Sequence, residues 1–250
     1  MKLHGLLALA GIFALSTGCA TRPPSVTHAH IGHCLTHWHD TPENKGLLDV
    51  ARQELDTAVN ESDAAIAAGL SPADKARHIE NVAHALNPDV QPVGPGFDYG
   101  AVRALEGAIE HLEYAATSED ASLNIVSSVA VLSELGLAIA ERLKSAVALA
   151  GTADERERAA LDKAAIDLRS ALHFAARGLD ANGNGRIDPV TAEAGIDQLQ
   201  TELQAMLNRE TNPAYEPLPR KYVLGLVKLP NGKWSFASLR GAKSRPTYGY

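Results

Sequence analysis

Aromatic residues make up only 5% of this 250-residue chain, and cysteine occurs twice. So few aromatics argue against a β-sandwich or barrel, whose strands want β-branched and aromatic side chains. Two cysteines exclude a disulfide-stapled scaffold and a zinc module built on cysteine alone. Basic residues are the minority, 23 Lys+Arg against 30 Asp+Glu, for a formal net charge of −7. An acidic chain of this kind is a poor general nucleic-acid binder, and no such partner is expected. There is no Gly-x-Ser-x-Gly, phosphate loop, His-Glu-x-x-His, dinucleotide fingerprint or Cys-x-x-Cys-His, so the common signatures of hydrolase, nucleotide and c-type haem chemistry are missing. The most apolar later segment, Ala121 to Ala150, is interrupted by Glu134, Glu141 and Lys144 and is not expected to cross a membrane.

What is abundant is alanine, with 42 residues, a composition that favours helices packed closely through small side chains. Thr41-Pro42 reads as an N-cap with proline at the first helical position. It leads into a buried face of Leu48, Ala51, Leu55, Ala58, Ser62 and Ile66 that ends near Gly69. Ser71-Pro72-Ala73-Asp74 opens a second helix, which Asn87-Pro88 stops. Gln91 to Gly100 is a glycine- and proline-rich loop. A third helix is predicted from about Asp98 to Thr117, with Val102, Leu105, Ile109 and Leu112 inward. A fourth runs from about Glu119 to Ala150, apolar on more than one face and therefore central. A fifth opens at Thr152, carries Leu161, Ala165, Leu168, Leu172 and Ala175 inward, and ends at Gly178. A sixth spans Pro189 to about Leu207. The fold class expected is all-α, an antiparallel bundle of about six helices joined by short connections and occupying residues 42–208.

The N-terminus reads as an address. Lys2 is followed by an apolar run from Gly5 to Leu15, too short to span a bilayer but right for a signal-peptide core. It closes on Leu15-Ser16-Thr17-Gly18-Cys19. This resembles the lipobox of bacterial lipoproteins, with Ser16 where leucine is commonest. The resemblance implies cleavage after residue 18 and lipidation of Cys19. With Ala20 next, it also implies an outer-membrane lipoprotein facing the periplasm. Residues 19–41 then form a tether and a histidine-rich stretch. At the other end, residues 218–250 carry seven basic and no acidic residues, whereas 19–217 hold 15 basic and 30 acidic. Tyr222 to Leu239, around Asn231-Gly232, reads as a β-hairpin within a basic tail, residues 209–250. Such a tail suits a protein or anionic-lipid partner, or folds back on the acidic bundle.

Two stretches point to ions. Asp180-Ala181-Asn182-Gly183-Asn184-Gly185-Arg186-Ile187-Asp188 resembles the calcium loop of EF-hand proteins. The resemblance implies calcium ligands from Asp180, Asn182, Asn184 and Asp188, the Arg186 carbonyl, and a sharp turn at Gly185. Thr191 stands where the family has a bidentate glutamate, and Glu193, two residues on, serves only if the loop closes differently. The competing reading is a polar interhelix turn in which Asp188 caps the helix opening at Pro189.

The second stretch holds His28, His30, His33, His37 and His39 within twelve residues, with Cys34 and Trp38 among them. Imidazole and thiolate suit zinc or copper. His30, His33 and His37 share a face of a helix, and His28/His30 or His37/His39 a face of a strand, so the spacing fits a site in more than one conformation. The stretch leads into the Thr41-Pro42 helix start, whose positive end would keep nearby imidazoles neutral. Asp40 is a candidate ligand or an acceptor that fixes a ring. His78, His84, His111 and His173 lie on helices. His111 shares a face with Ala104, Ala108 and Ala115, and one or two of these four could complete a site with the N-terminal cluster. The expectation is a lipid-anchored periplasmic metal-binding protein, with calcium at the loop and copper or zinc at the histidines. The alternative is a structural or adaptor lipoprotein in which calcium is a staple and the histidines a spacer. An enzyme using the metal as a Lewis acid ranks lowest, because no placed acid or base accompanies the cluster.

Overall fold

A computed structural model describes residues 21–22, 26–153, 157–210, 220–223, 226–228 and 234–236. The leader, Cys19 and the Asn231-Gly232 turn lie outside them. Seven α-helices are present among the described residues: α1 (Val26–Leu35), α2 (Leu47–Ala65), α3 (Pro72–Leu86), α4 (Ala101–Thr117), α5 (Leu123–Ala150), α6 (Arg158–Arg177) and α7 (Ile196–Arg209). They form a helical bundle. The expected C-terminal hairpin is not supported as part of it. What is described there is confined to fragments of three or four residues, β2 (Arg220–Val223), β3 (Leu226–Lys228) and β4 (Trp234–Phe236), with β2 also pairing the two-residue β1 (Thr21–Arg22).

The alanine content does what close packing requires. α4 buries Ala101, Ala104, Ala108 and Ala115 between its larger inward residues Val102, Leu105, Ile109 and Leu112. α5 answers with Ile125, Val129, Leu132, Leu135, Ile139 and Leu143, at three- and four-residue steps. At Gly136 the two helices come so near that a Cβ would lie 2.7 Å from Ile109 Cγ1, so glycine there is a packing requirement. By length and composition α5 could cross a membrane, despite its interrupting charges. In this fold its apolar face packs on α4, α6 and α7.

Several boundaries differ from expectation. Thr41-Pro42 opens only a three-residue 3-10 turn, Pro42–Asn44, in which Glu43 and Asn44 take positive φ. Thr41 Oγ1 lies 2.7 Å from the Trp38 carbonyl and 2.6 Å from that of Lys45 and caps nothing. Gly46 permits the chain to turn there, because a Cβ would meet Leu35 backbone at 2.4 Å, and α2 starts at Leu47. At the other end α2 stops at Ala65, so Ile66 is its C-cap and is exposed rather than inward. α5 starts at Leu123, where the Ser122 side chain accepts from Ile125 N. Likewise α6 starts at Arg158, and α7 at Ile196, seven residues past Pro189. Ser71 is the cap expected, accepting from Asp74 N at 3.1 Å.

The loop before α4 is held from inside. Glu54, 1% exposed, accepts through Oε1 from the N–H groups of Phe97, Tyr99 and Gly100 at 3.1–3.2 Å. This sets the start of α4, and with it the azimuth of His111.

Candidate metal centre

α1 is short and weakly amphipathic, and it gains its place from α4. At its N-terminus Thr27 N and Oγ1 both donate to Asp120 Oδ1, at 3.2 and 2.7 Å. Near its C-terminus the Cys34 thiol donates to the Ala108 carbonyl at 3.2 Å. The two ties run α1 antiparallel to α4 and bury Ile31 between them and the core. One turn apart on the remaining face, His30 and His33 then stand over His111.

The three rings converge. A donor nitrogen from each of His30, His33 and His111 lies within 4.8 Å of the others. Tetrahedral coordination at about 2.0 Å per bond wants nitrogens about 3.3 Å apart, somewhat closer than the 4.8 Å within which the donors of this trio lie. One pair is already at that spacing, His30 Nδ1 to His111 Nδ1, 3.0 Å. His33 Nδ1 is buried and has no hydrogen-bond partner among the described residues. Among those residues this is the one group of three or more His, Cys, Asp or Glu side chains whose donor atoms meet in this way.

The rings are held neutral. Burial, then repulsion from His111, His30, His39 and His37, brings His33 down to about 4. Burial lowers His30 against a pull upward from Asp120. It lowers His111 too, joined by His30 and opposed by Glu110. Desolvation and crowding, not the dipole of the Pro42 turn, thus present lone pairs at neutral pH. Aromatic rings wall the trio. Trp38 lies 4.3 Å from His33 and 4.7 Å from His111 between centroids, and Tyr114 lies 5.3 Å from His30.

The other candidates are elsewhere. His28 is fully buried and outside the trio. Cys34 is fully buried and bonded to Ala108 O, and burial pushes its thiol far up. It is adjacent to His33 in sequence but on the core side. His37 falls past the end of α1, exposed, with Nδ1 3.0 Å from the Asn44 carbonyl. His39 is exposed, its ring 4.2 Å from that of Trp38. Asp40 fixes no imidazole: it takes Arg103 at 2.8 Å and the Tyr99 hydroxyl at 3.4 Å. Of the other helical histidines, His78 meets Glu61 and His173 meets Asp63.

The oxygen-rich loop has a different character. Asp180 accepts from the N–H groups of Gly183, Asn184 and Gly185 at 2.7–3.1 Å, and Gly183 and Gly185 adopt positive φ. Glu193, 2% exposed, reaches under the loop to accept from Asn182 N and Asp188 N at 3.2 and 2.9 Å. It arrives there because no helix starts at Pro189: Glu193 N bonds back to Val190 O instead. Asp188 takes the Asn184 amide at 2.8 Å. The Arg186 side chain is exposed. Arg142, its guanidinium 3.9 Å over the Phe174 ring, donates to the carbonyls of Thr191 and Ala194.

No family model matches this chain, and neither a curated protein nor a solved structure matches it.

Proposed function

We propose that this is a metal-binding protein whose principal centre is the His30–His33–His111 trio between α1 and α4, taking copper or zinc. The observation that carries this reading is the state of the ring nitrogens. Two face each other at 3.0 Å and a third is buried with no hydrogen-bond partner, and all three imidazoles are held neutral. A buried ring nitrogen without a partner is costly, and an ion would relieve the one on His33 while replacing the single hydrogen bond between His30 and His111. The lipobox-like leader supports an envelope location, anchored through lipid on Cys19, where metal capture or delivery would operate. The basic tail supports an additional protein or anionic-lipid contact.

Calcium at Asp180, Asn182, Asn184, Asp188 and the Arg186 carbonyl belongs to the same reading, with Glu193 supplying the carboxylate missing from position 12. The hydrogen bonds within that loop favour a structural staple over a sensor. The deciding experiment is elemental analysis of full-length protein isolated without chelators. About one copper or zinc per chain is expected, lost in His30→Ala, His33→Ala and His111→Ala. Unchanged metal content in His111→Ala would refute the centre.

A further inference from the structure

We infer that the trio is selective for a soft, monovalent d10 cation, Cu(I), over Zn(II), and that Trp38 is a positioning residue for that choice. This rests on the reading of the trio as a metal centre. The first reason is charge. The ligand set contains no anion. Cys34 is turned to the Ala108 carbonyl, Asp120 is engaged by Thr27, Asp40 by Arg103, and Glu110 by the Tyr114 hydroxyl at 2.5 Å. Three neutral imidazoles leave the charge of the ion without an anionic ligand in a half-buried site, compensated only at a distance by carboxylates such as Asp120 and Glu110. The desolvation cost of an ion rises with the square of its charge, so a 2+ ion is penalised about fourfold more than a 1+ ion.

The second reason is coordination number. Zn(II) asks for four ligands and Cu(II) for a tetragonal set. Three-imidazole zinc sites reach four with a water that also supplies hydroxide. Here aromatic rings flank the trio, Trp38 on the side of His33 and His111 and Tyr114 on the side of His30 and His111. These rings occupy part of the space around the trio, and a site without hard donors in its ligand set disfavours the higher charge state. Cu(I) is satisfied by two or three imidazoles. The third reason is the indole itself, the side chain whose π face best receives a cation. Trp38 is held for this by its own backbone: its N–H donates to Lys45 O at 3.0 Å, and its carbonyl accepts from Thr41 N at 3.2 Å.

The test is a set of affinities on the full chain for wild type, Trp38→Leu, Trp38→Phe and His111→Ala. Cu(I) and its redox-inert analogue Ag(I) are measured by chelator competition under nitrogen, and Zn(II) with a zinc-binding dye. Wild type is expected to hold Cu(I) and Ag(I) at least about 100-fold more tightly than Zn(II). Trp38→Leu is expected to lose about tenfold for the two monovalent ions and nothing for Zn(II), with Trp38→Phe between. Should Trp38→Leu fail to fold, Trp38→Phe carries the same comparison of ratios. Zn(II) bound as tightly as Ag(I), yet lost in His111→Ala, would overturn the selectivity and leave the metal centre standing. An equal loss for all ions in both Trp38 variants would reduce the indole to packing and overturn its role. No binding of any ion by wild type would overturn both readings.

Discussion

The histidine trio and the 180–193 loop are both dense in metal-ligating groups, yet they satisfy those groups in opposite ways. In the loop, Asp180, Asn182, Asn184, Asp188 and Glu193 turn their oxygens on backbone and amide N–H groups of the same segment. In the trio, helix α1 delivers two rings to a third that is 81 residues from His30, where His30 and His111 share one hydrogen bond and the buried His33 Nδ1 has none. On the proposed reading, an ion would reinforce a loop that already holds itself, but would complete the trio. A count of ligand-type residues therefore does not measure how many of them still lack a partner, which depends on the partners the protein already provides.

The contrast can be broken most forcibly at Glu193. Glu193→Ala strips acceptors from Asn182 N and Asp188 N beneath the loop, and is expected to cost about 3 kcal/mol in chemical denaturation. A loss below about 1 kcal/mol would show that the loop does not depend on its buried carboxylate. At the trio the prediction is a gain. Zinc at 100 times its Kd should add about 2.7 kcal/mol, which raises Tm by about 5–10 °C in a chain of this size. His111→Ala should show no such shift.

Acidity separates the regions next. The His33 imidazole titrates near 6.5 when unfolded and about 4 when folded. Between those values the unfolded chain binds the extra proton, so metal-free stability is complete above about pH 6.5 and declines as pH falls toward 4. The effect is of the order of 1 kcal/mol once solvent screening of this partly exposed ring is allowed for. It should be reduced but not abolished in His33→Gln, because burial lowers His30 and His111 as well, as followed by urea denaturation at pH 7 and pH 5. Smallest is Cys34→Ala, expected to alter metal affinity by no more than about twofold, because its sulfur faces Ala108.

Much of the bundle was legible because its information is local. The inward faces of α4 and α6 are those the three- and four-residue spacing picks out, and Ser71 caps α3 as its position beside Pro72 implies. Two of the misplaced helix starts share a cause. Proline at Pro42 and Pro189 is compatible with a first helical turn, but equally with a 3-10 turn or an irregular segment, and in both places the helix waits for a glycine, Gly46 or Gly195. His30 and His33 could be named from their spacing. His111 could be placed only as a face of α4 with alanines, since nothing local encodes the pairing of α1 with α4. That pairing depends on Thr27 finding Asp120 and on Cys34 finding Ala108. Those are contacts across more than 70 residues of chain, to which helical periodicity is blind.

Arg142 is where α5 reaches the loop. Residues 189–195 contain no helix, and two of their carbonyls, Thr191 and Ala194, are gathered by one forked cation stacked on Phe174. Lysine, a point charge on a pliant stem, lacks the planar fork that meets both carbonyls while stacked on the ring. The guanidinium works as a rivet: it fastens the irregular strip between α6 and α7 to the central helix at two points, so Arg142→Ala would cut that strip loose from α5 while leaving the loop's own hydrogen bonds in place.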